Sequence, residues 1–241
     1  MVTDRINTLI RNLTYALSDA GLADAYSTDP NNKKTQFRLS FDINERFYIN
    51  SLPILYDAES MADISSDCSN KDKRGNFVCI VFDDGTRLYL YKFGIEYEKH
   101  NKRYHNTYAV LAKLNYYYKT RVLKESVHPL IIVRRKVVAY CGKGDWVPIP
   151  DGVVSIGEYA FEGTNIKRVR MPGSLMEICN YAFWGCEKLE SVLFDDDVDY
   201  IGNDMIDPDT EKTILIPARI KINIPKVFNA VQNLSFVQEE Y

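Results

Sequence analysis

Residues 156–186 read IGEYAFEGTNIKRVRMPGSLMEICNYAFWGC, and within that stretch the chain says something twice. Ile156-Gly157-Glu158-Tyr159-Ala160-Phe161 returns 22 residues later as Ile178-Cys179-Asn180-Tyr181-Ala182-Phe183. The match runs outward in both directions. Ile149-Pro150 aligns with Met171-Pro172, Val154 with Met176, and Gly163 with Gly185. After that glycine the second copy gains one residue, so Ile166 pairs with Leu189 and Val169 with Val192. A third, degraded copy starts near Phe194 with Val198, Ile201-Gly202, Ile214 and Ile216-Pro217. A period of 22–23 residues is too long for a helical heptad and too short for a helix pair. It is the length of one coil in a stack of coils.

Each coil has a physical reading. IKRVRM alternates apolar and charged residues, which predicts a strand with Val169 and Met171 inward. Pro172 ends that strand because it lacks a backbone donor. Tyr-Ala-Phe sets a small residue between two rings, so the chain turns while both rings are expected to fill the layer between coils. Gly163 and Gly185 permit the next turn. One coil cannot cover its own apolar face, so coils stack and share a core.

The stretch IPDGVVSIGEYAFEGTNIKRVRMP resembles the BspA-type leucine-rich repeat, and VVAYCGKGDWVPIP is similar to the way such arrays begin. The resemblance spans about residues 137–225. It departs from the pattern where Thr164 replaces the Cys of the family's Gly-Cys, kept at Cys186, and where YIGNDMIDPDTEKTILIP loses Ala-Phe. A short array that ends quickly is therefore expected. The resemblance implies a right-handed solenoid used for binding, often on cell surfaces. That location does not carry over, because Asp4, Arg5, Arg11 and Asp19 interrupt every apolar run of a would-be secretion signal.

In stacked coils the strands line one face, and their outward residues form the expected contact surface. Strand parity gives two columns: Trp146, Arg168, Ser191 and Thr213 in one, and Pro148, Arg170, Leu193 and Leu215 in the other. Trp and Arg are frequent interface anchors.

Residues 1–136 show no recognised pattern and read as an α+β head that also caps the repeat core, with residues 137–241 forming the array. Thr3 is the expected N-cap of a helix carrying Ile6, Leu9, Ile10, Leu13 and Leu17 on one stripe up to Gly21. FRLSFDI alternates like a strand that RFYI continues, and DAESMADISSDCSNKDKRGN reads as loop or short helix. NFVCIVF, then Asp83-Asp84-Gly85, then TRLYLYKF, is the clearest hairpin, with Asp-Gly supplying positive backbone angles. A helix is expected from about Asn106 to Lys124, and LIIVRRKVVAY as one last strand.

Bulk numbers narrow the functional classes. Hydrophobic content of 46% with 26% charged residues is ordinary for a globular protein. Five cysteines without metal-site spacing suit small buried thiols and a reduced, cytoplasmic setting. The net charge of −3 hides a segregation: residues 86–136 carry 12 Lys/Arg against three acids, and both flanks are acidic. Tyr89, Tyr91, Tyr97, Tyr104, Tyr108, Tyr116, Tyr117 and Tyr118 interleave with those cations, the combination a single-stranded nucleic acid needs. Helical spacing splits them: Tyr104, Tyr108, Leu111, Tyr118 and Val122 on a core face, and Lys113, Tyr117, Thr120 and Lys124 opposite. Lys99, Lys102, Arg103, Lys113, Tyr117 and Lys124 form the candidate basic surface.

Catalytic readings are weaker. Asp83, Asp84, Glu96, Glu98 and Lys99 resemble a nuclease set, but Glu98 and Lys99 are adjacent and fall on opposite faces of a strand. Asp195, Asp197 and Asp199 have calcium-like intervals, yet Ile206 stands where a bidentate Glu belongs. His100, His105 and His128 have no partner at metal or triad spacing. The expectation is a non-enzymatic interaction protein with a protein partner, no cofactor, no metal, no small-molecule substrate and no membrane span. Nucleic-acid binding by residues 86–136 is the alternative, and an inhibitor of a nucleic-acid enzyme from a phage or mobile element is a variant of either.

Overall fold

β-Sheets supply most of the regular structure among the described residues, with few helices. The structure is a computed structural model that describes residues 4–69, 74–194, 200–201, 212–217 and 234–239, with side chains described to Glu190 and at Val192. Two compact units divide it, Met1–Val127 and His128–Tyr241.

In the first unit, α1 (Asp4–Asp19) buries Ile6, Leu13, Ala16 and Leu17, while Leu9 and Ile10 stay half-exposed. Its end is a paired-bond cap: Leu22 N–H donates to Leu17 O and Gly21 N–H to Ser18 O, with Gly21 at φ 69°. The expected cap Thr3 lies outside the described residues. A four-stranded sheet follows: β1 (Tyr26–Ser27), β2 (Phe37–Phe41), β3 (Arg46–Ile49) and β4 (Leu52–Asp57). RFYI does not continue FRLSFDI but reverses against it, Leu39 facing Ile49. Asp42 makes the reversal by accepting the N–H groups of Asn44 and Arg46, which lets Glu45 sit at φ 62°.

A second sheet runs in order through β5 (Met61–Asp67), β6 (Phe77–Phe82), β7 (Arg87–Tyr91), β8 (Gly94–Lys99) and β9 (Lys102–Tyr104). MADISSD is thus a strand, not the loop or short helix its composition suggests. It is an edge strand, and its ladder with β6 sets its conformation more than its own propensities do. In the β6–β7 hairpin only Gly85 takes a positive angle, φ 77°. Asp84 instead stays in a negative-φ turn, where its carboxylate accepts the Thr86 N–H.

α2 (Thr107–Tyr117) starts at Asn106, whose side chain caps the N–H groups of Tyr108 and Ala109. A π-helical turn, Tyr118–Val122, ends the helical run before Lys124. The buried face is Ala109, Val110, Lys113, Leu114 and Tyr118, so the expected stripe is corrected: Tyr108 is 78% exposed and Val122 also faces solvent. A helical stripe drawn from Tyr104 had the wrong phase, because Tyr104 belongs to β9. The core of this unit gathers Leu13 and Leu17 of α1, Phe47, Ile49 and Ile54, the inner residues Val78, Ile80, Leu88, Leu90 and Ile95, and Val110 and Leu114 of α2.

In the second unit LIIVRRKVVAY is not one strand. It folds back at Arg134-Arg135, at φ 49° and 66°, into the hairpin β10 (Leu130–Val133) and β11 (Lys136–Tyr140). A two-residue turn with both angles positive favours Asn-Gly. Two arginines give no such cue. Two parallel ladders then advance in step. One joins β11 to β13 (Ser155–Ile156), β15 (Glu177–Ile178) and β17 (Tyr200–Ile201). The other joins β12 (Trp146–Pro148), β14 (Arg168–Met171), β16 (Ser191–Phe194), β18 (Lys212–Pro217) and β19 (Leu234–Glu239).

Between the ladders, residues one repeat apart stack. Val147, Val169 and Val192 are in register, as are Val137, Ile156 and Ile178, and all are buried. Phe161 lies on Phe183 with centroids 4.8 Å apart, over fully buried Ala160 and Ala182. Each such phenylalanine contributes about 1.5–3 kcal/mol by leaving water. Only one ring of the Tyr-Ala-Phe triplet enters this layer. Tyr159 and Tyr181 take left-handed backbone, φ 57° and 56°, and stack on each other half-exposed at 5.0 Å. The array also does not end with the third coil, since β19 pairs with β18 in parallel over six residues, Leu215 facing Val237. With Ala-Phe gone, only the strand spacing of 22 residues marks that continuation.

Candidate functional site

On β12 and β14 exposure alternates strictly: Trp146, Pro148, Arg168 and Arg170 face out while Val147, Val169 and Met171 face in. Backbone register aligns Trp146 with Arg168 and Arg168 with Ser191. It also aligns Pro148 with Arg170, Arg170 with Leu193 and Leu193 with Leu215. Thr213 lies on β18 opposite Ser235 of β19. The side chains of Ser191, Leu193, Thr213 and Leu215 are outside the described residues, so the first two rungs carry the chemistry of this face.

Those rungs place a ring beside cations. The Arg168 guanidinium lies 5.7 Å from the centroid of Trp146, which remains 41% exposed. Strand order makes them neighbours, because the Asp145 carbonyl accepts the N–H groups of Lys167 and Arg168 at 2.8 and 2.9 Å and clamps β14 onto the start of β12. The Asp145 carboxylate pairs with Lys167 at 3.3 Å, beside the face rather than on it. The open edge of β12 is guarded. Ile149 N–H donates to Arg170 O, so by ladder alternation the Pro148 nitrogen points to the unpaired side, where it has no hydrogen to give.

The expected basic surface of residues 86–136 is largely spent inside the first unit. Arg103 lies 4.0 Å over the Tyr89 ring, and its Nε donates to Glu96 at 2.7 Å. Its guanidinium also donates to the Tyr91 hydroxyl. Arg74 reaches the same Glu96 carboxylate and covers the Tyr91 ring. Glu96 is 6% exposed, so two arginines and two tyrosines close over one buried acid. Lys99 pairs with Asp84 at 2.6 Å. Lys113, expected on the solvent face, is 4% exposed with its ammonium 4.3 Å from the Tyr104 ring, because its position falls on the buried side of α2. Tyr117 is half-buried under Arg121, whose guanidinium sits 4.3 Å from the ring. Lys102 and Lys124 are exposed, the latter at φ 58°.

The acids are likewise engaged. Asp84 accepts from Lys99, Thr86 and the Tyr56 hydroxyl. Its partial burial opposes ionisation, but the hydrogen bonds from Lys99 and Thr86 and the lysine's charge outweigh it and hold the carboxyl at about 2. Glu98 pairs with Arg87 at 3.2 Å. His128 accepts the Leu130 N–H at 3.2 Å, and His100 sits in the β8–β9 turn at φ 51°. Among the described residues no group of three or more His, Cys, Asp or Glu could hold a metal ion. Asp195, Asp197, Asp199 and Ile206 lie outside them.

Two features go beyond what the sequence shows, the first with no signal there and the second with a weak one. Arg74 joins the Glu96 cluster from 22 residues away. Tyr159, Tyr181 and Trp184 form an outer aromatic row beside the repeat core, the Trp edge-on to Tyr181 at 5.5 Å; the repeated Tyr alone pointed to it.

A family model described as the BspA type leucine rich repeat region matches residues 116–238 in six copies. That span starts earlier and ends later than the 137–225 of the motif reading. Among solved structures, a leucine-rich repeat protein from Bacteroides capillosus is 28% identical, with 47% of this chain and 97% of that one covered and a TM-score of 0.37. Among curated proteins nothing matches.

Proposed function

The chain belongs to the BspA-type leucine-rich-repeat family, and from that premise we propose that it is a non-enzymatic binding protein that engages a protein partner through the Trp146, Arg168 and Arg170 face. Leucine-rich-repeat proteins generally mediate protein–protein interaction. The observation that carries the assignment to this face is the rung itself: a 41%-exposed indole beside an exposed guanidinium at 5.7 Å, on strands whose other side is wholly buried. In this reading the repeats form a right-handed solenoid, with residues before it as an α+β head.

The basic head surface is a minor contributor in this reading, since Arg103, Lys99 and Lys113 are engaged within their own unit. An adaptor or inhibitor role in a reducing compartment such as the cytoplasm completes the proposal, supported by five cysteines that stand as thiols. No helix among the described residues is long and apolar enough to cross a membrane.

The test is a tagged pull-down from native lysate, with and without nuclease, using the wild-type chain, Trp146→Ala/Arg168→Ala, and Lys102→Ala/Lys124→Ala. A nuclease-resistant protein lost only with the first pair is the expected result. Capture that nuclease abolishes, or that only the lysine pair weakens, overturns the assignment to the repeat face.

A further inference from the structure

We propose that Lys136 and Cys179 form a reversible sulfur–nitrogen bridge when the chain meets hydrogen peroxide, tying the β10–β11 hairpin to the second coil. The Lys136 ammonium lies 3.6 Å from the Cys179 sulfur, although 43 residues and one ladder strand, β13, separate them. Both side chains are half-buried, which leaves the pair open to a small oxidant. The repeat builds this contact. Val137, Ile156 and Ile178 are buried in register, so Lys136, Ser155 and Glu177 share the other side of the ladder. Gly157 and Cys179 follow two residues after Ser155 and Glu177, on that same side. Cys179 stands where the neighbouring copies carry Gly157 and Gly202. Lys136 runs across Gly157 to reach it: its Cδ and Cγ lie 3.7 and 3.8 Å from where a Cβ at Gly157 would stand. The Glu177 carboxylate accepts the Ser155 hydroxyl at 2.9 Å, and the lysine ends on sulfur instead.

The chemistry balances with one peroxide. The Cys179 thiolate attacks a peroxide oxygen, so that the S–O bond forms and the O–O bond breaks. The departing hydroxide leaves as water, with the proton that the thiol gave up. The neutral Lys136 amine then attacks sulfur: the S–N bond forms, the S–O bond breaks, and a second water leaves. Sulfur has lost two electrons and the peroxide has gained them. A dithiol reverses the bridge by attacking sulfur, which frees the amine and turns the dithiol into a disulfide. Burial pushes the Cys179 thiol up against the pull of the Lys136 charge, with Glu177 adding to the rise and Ser155 opposing it. Thiol and ammonium must each give up a proton to react, so the bridge forms faster as pH rises.

The experiment treats the full chain with hydrogen peroxide between pH 7 and 9, then reads intact mass and peptide maps before and after dithiothreitol. The expected product is lighter by two hydrogens, with the Lys136 and Cys179 peptides joined. It should form several-fold faster at pH 9 than at pH 7, and dithiothreitol should restore the starting chain. Lys136→Arg keeps a positive charge beside the sulfur but removes the attacking amine. That variant should form no bridge, and its Cys179 should gain oxygen instead. Wild-type Cys179 that gains oxygen while Lys136 stays free overturns the proposal, as does a wild-type chain left unmodified. Loss of two hydrogens through a cysteine–cysteine link overturns it as well. The bridge closes a loop across two coils, so the oxidised wild type should unfold at a higher denaturant concentration than the reduced chain. An unchanged midpoint overturns the tie between hairpin and coil.

Discussion

Arg103 and Arg168 both lie against an aromatic ring on a β-sheet, and their situations are opposite. Arg103 is folded 4.0 Å over Tyr89, with Tyr89 and Tyr91 buried beneath it and the acid Glu96 in its grip. Arg168 stands 5.7 Å from a Trp146 that is itself exposed. In the first unit the cation closes a second, small core on the outer face of the β5–β9 sheet. In the second the strand's inner face is already satisfied by stacked coils, so ring and cation are left to the outside. Interleaved cations and rings therefore say little about binding until the layer beneath the rings is known.

The comparison breaks most readily in the repeat core, where Phe161→Ala should cost about 3–5 kcal/mol by opening a cavity between coils. Trp146 and Trp184 are the only tryptophans and both lie in the second unit, so fluorescence-monitored denaturation reads that loss. A change below about 1 kcal/mol would mean that the coils do not share the core described.

The two arginines come next. Arg103→Ala leaves Glu96 buried with one cation instead of two, and should destabilise by about 2–3 kcal/mol, seen as faster amide exchange across β7–β9. Arg168→Ala should stay within about 0.5 kcal/mol in stability. Arg103→Ala without a stability cost would return Arg103 to the set of candidate binding cations.

Gly157→Ala tests how tightly the first coil sits on the hairpin. A Cβ there would stand 2.8 Å from the Val137 carbonyl oxygen, the same atom that accepts the Gly157 N–H. One coil on, the equivalent position is Cys179, whose N–H donates to Ile156 O at 2.9 Å with a side chain in place. About 1 kcal/mol of destabilisation is expected from Gly157→Ala. A neutral result would make the first junction as roomy as the second.

What was legible in the sequence was whatever repeats or alternates. Val169 and Met171 against Arg168 and Arg170 fixed a strand, its inner face and its outward columns at once, because period two leaves no freedom of side. The 22-residue interval gave the coil. Illegible were features decided by contacts distant in sequence. MADISSD is a strand only because β6 pairs with it. Arg134-Arg135 turns without a glycine, and Lys113 lies on the buried side of α2, whose phase cannot be taken from Tyr104 because that residue belongs to β9. The Glu96 cluster needed Arg74, 22 residues upstream, to be recognisable as structural.

The smallest expected effect is at Asp84, and its direction is fixed by sign. Hydrogen bonds from Lys99 and Thr86, with the lysine's charge, outweigh desolvation and keep the folded carboxyl at about 2, against an ordinary 3.8. A depressed folded value means that the ionised form favours the folded state. That contribution is complete above about pH 4 and drains away as pH falls from there through 2. Side-chain exposure of 43% at Asp84 lets solvent screen the pair with Lys99, so the effect is modest. Denaturation of wild type and Asp84→Asn across pH 7 to 2 should show wild type slightly more stable near neutrality, with the difference shrinking only below pH 4. No difference at any pH would mean that Asp84 acts through its turn geometry at Thr86, as an asparagine also can. The ion pair with Lys99 would then be incidental, and Lys99 would rejoin Lys102 and Lys124 among the cations that the first unit leaves to solvent.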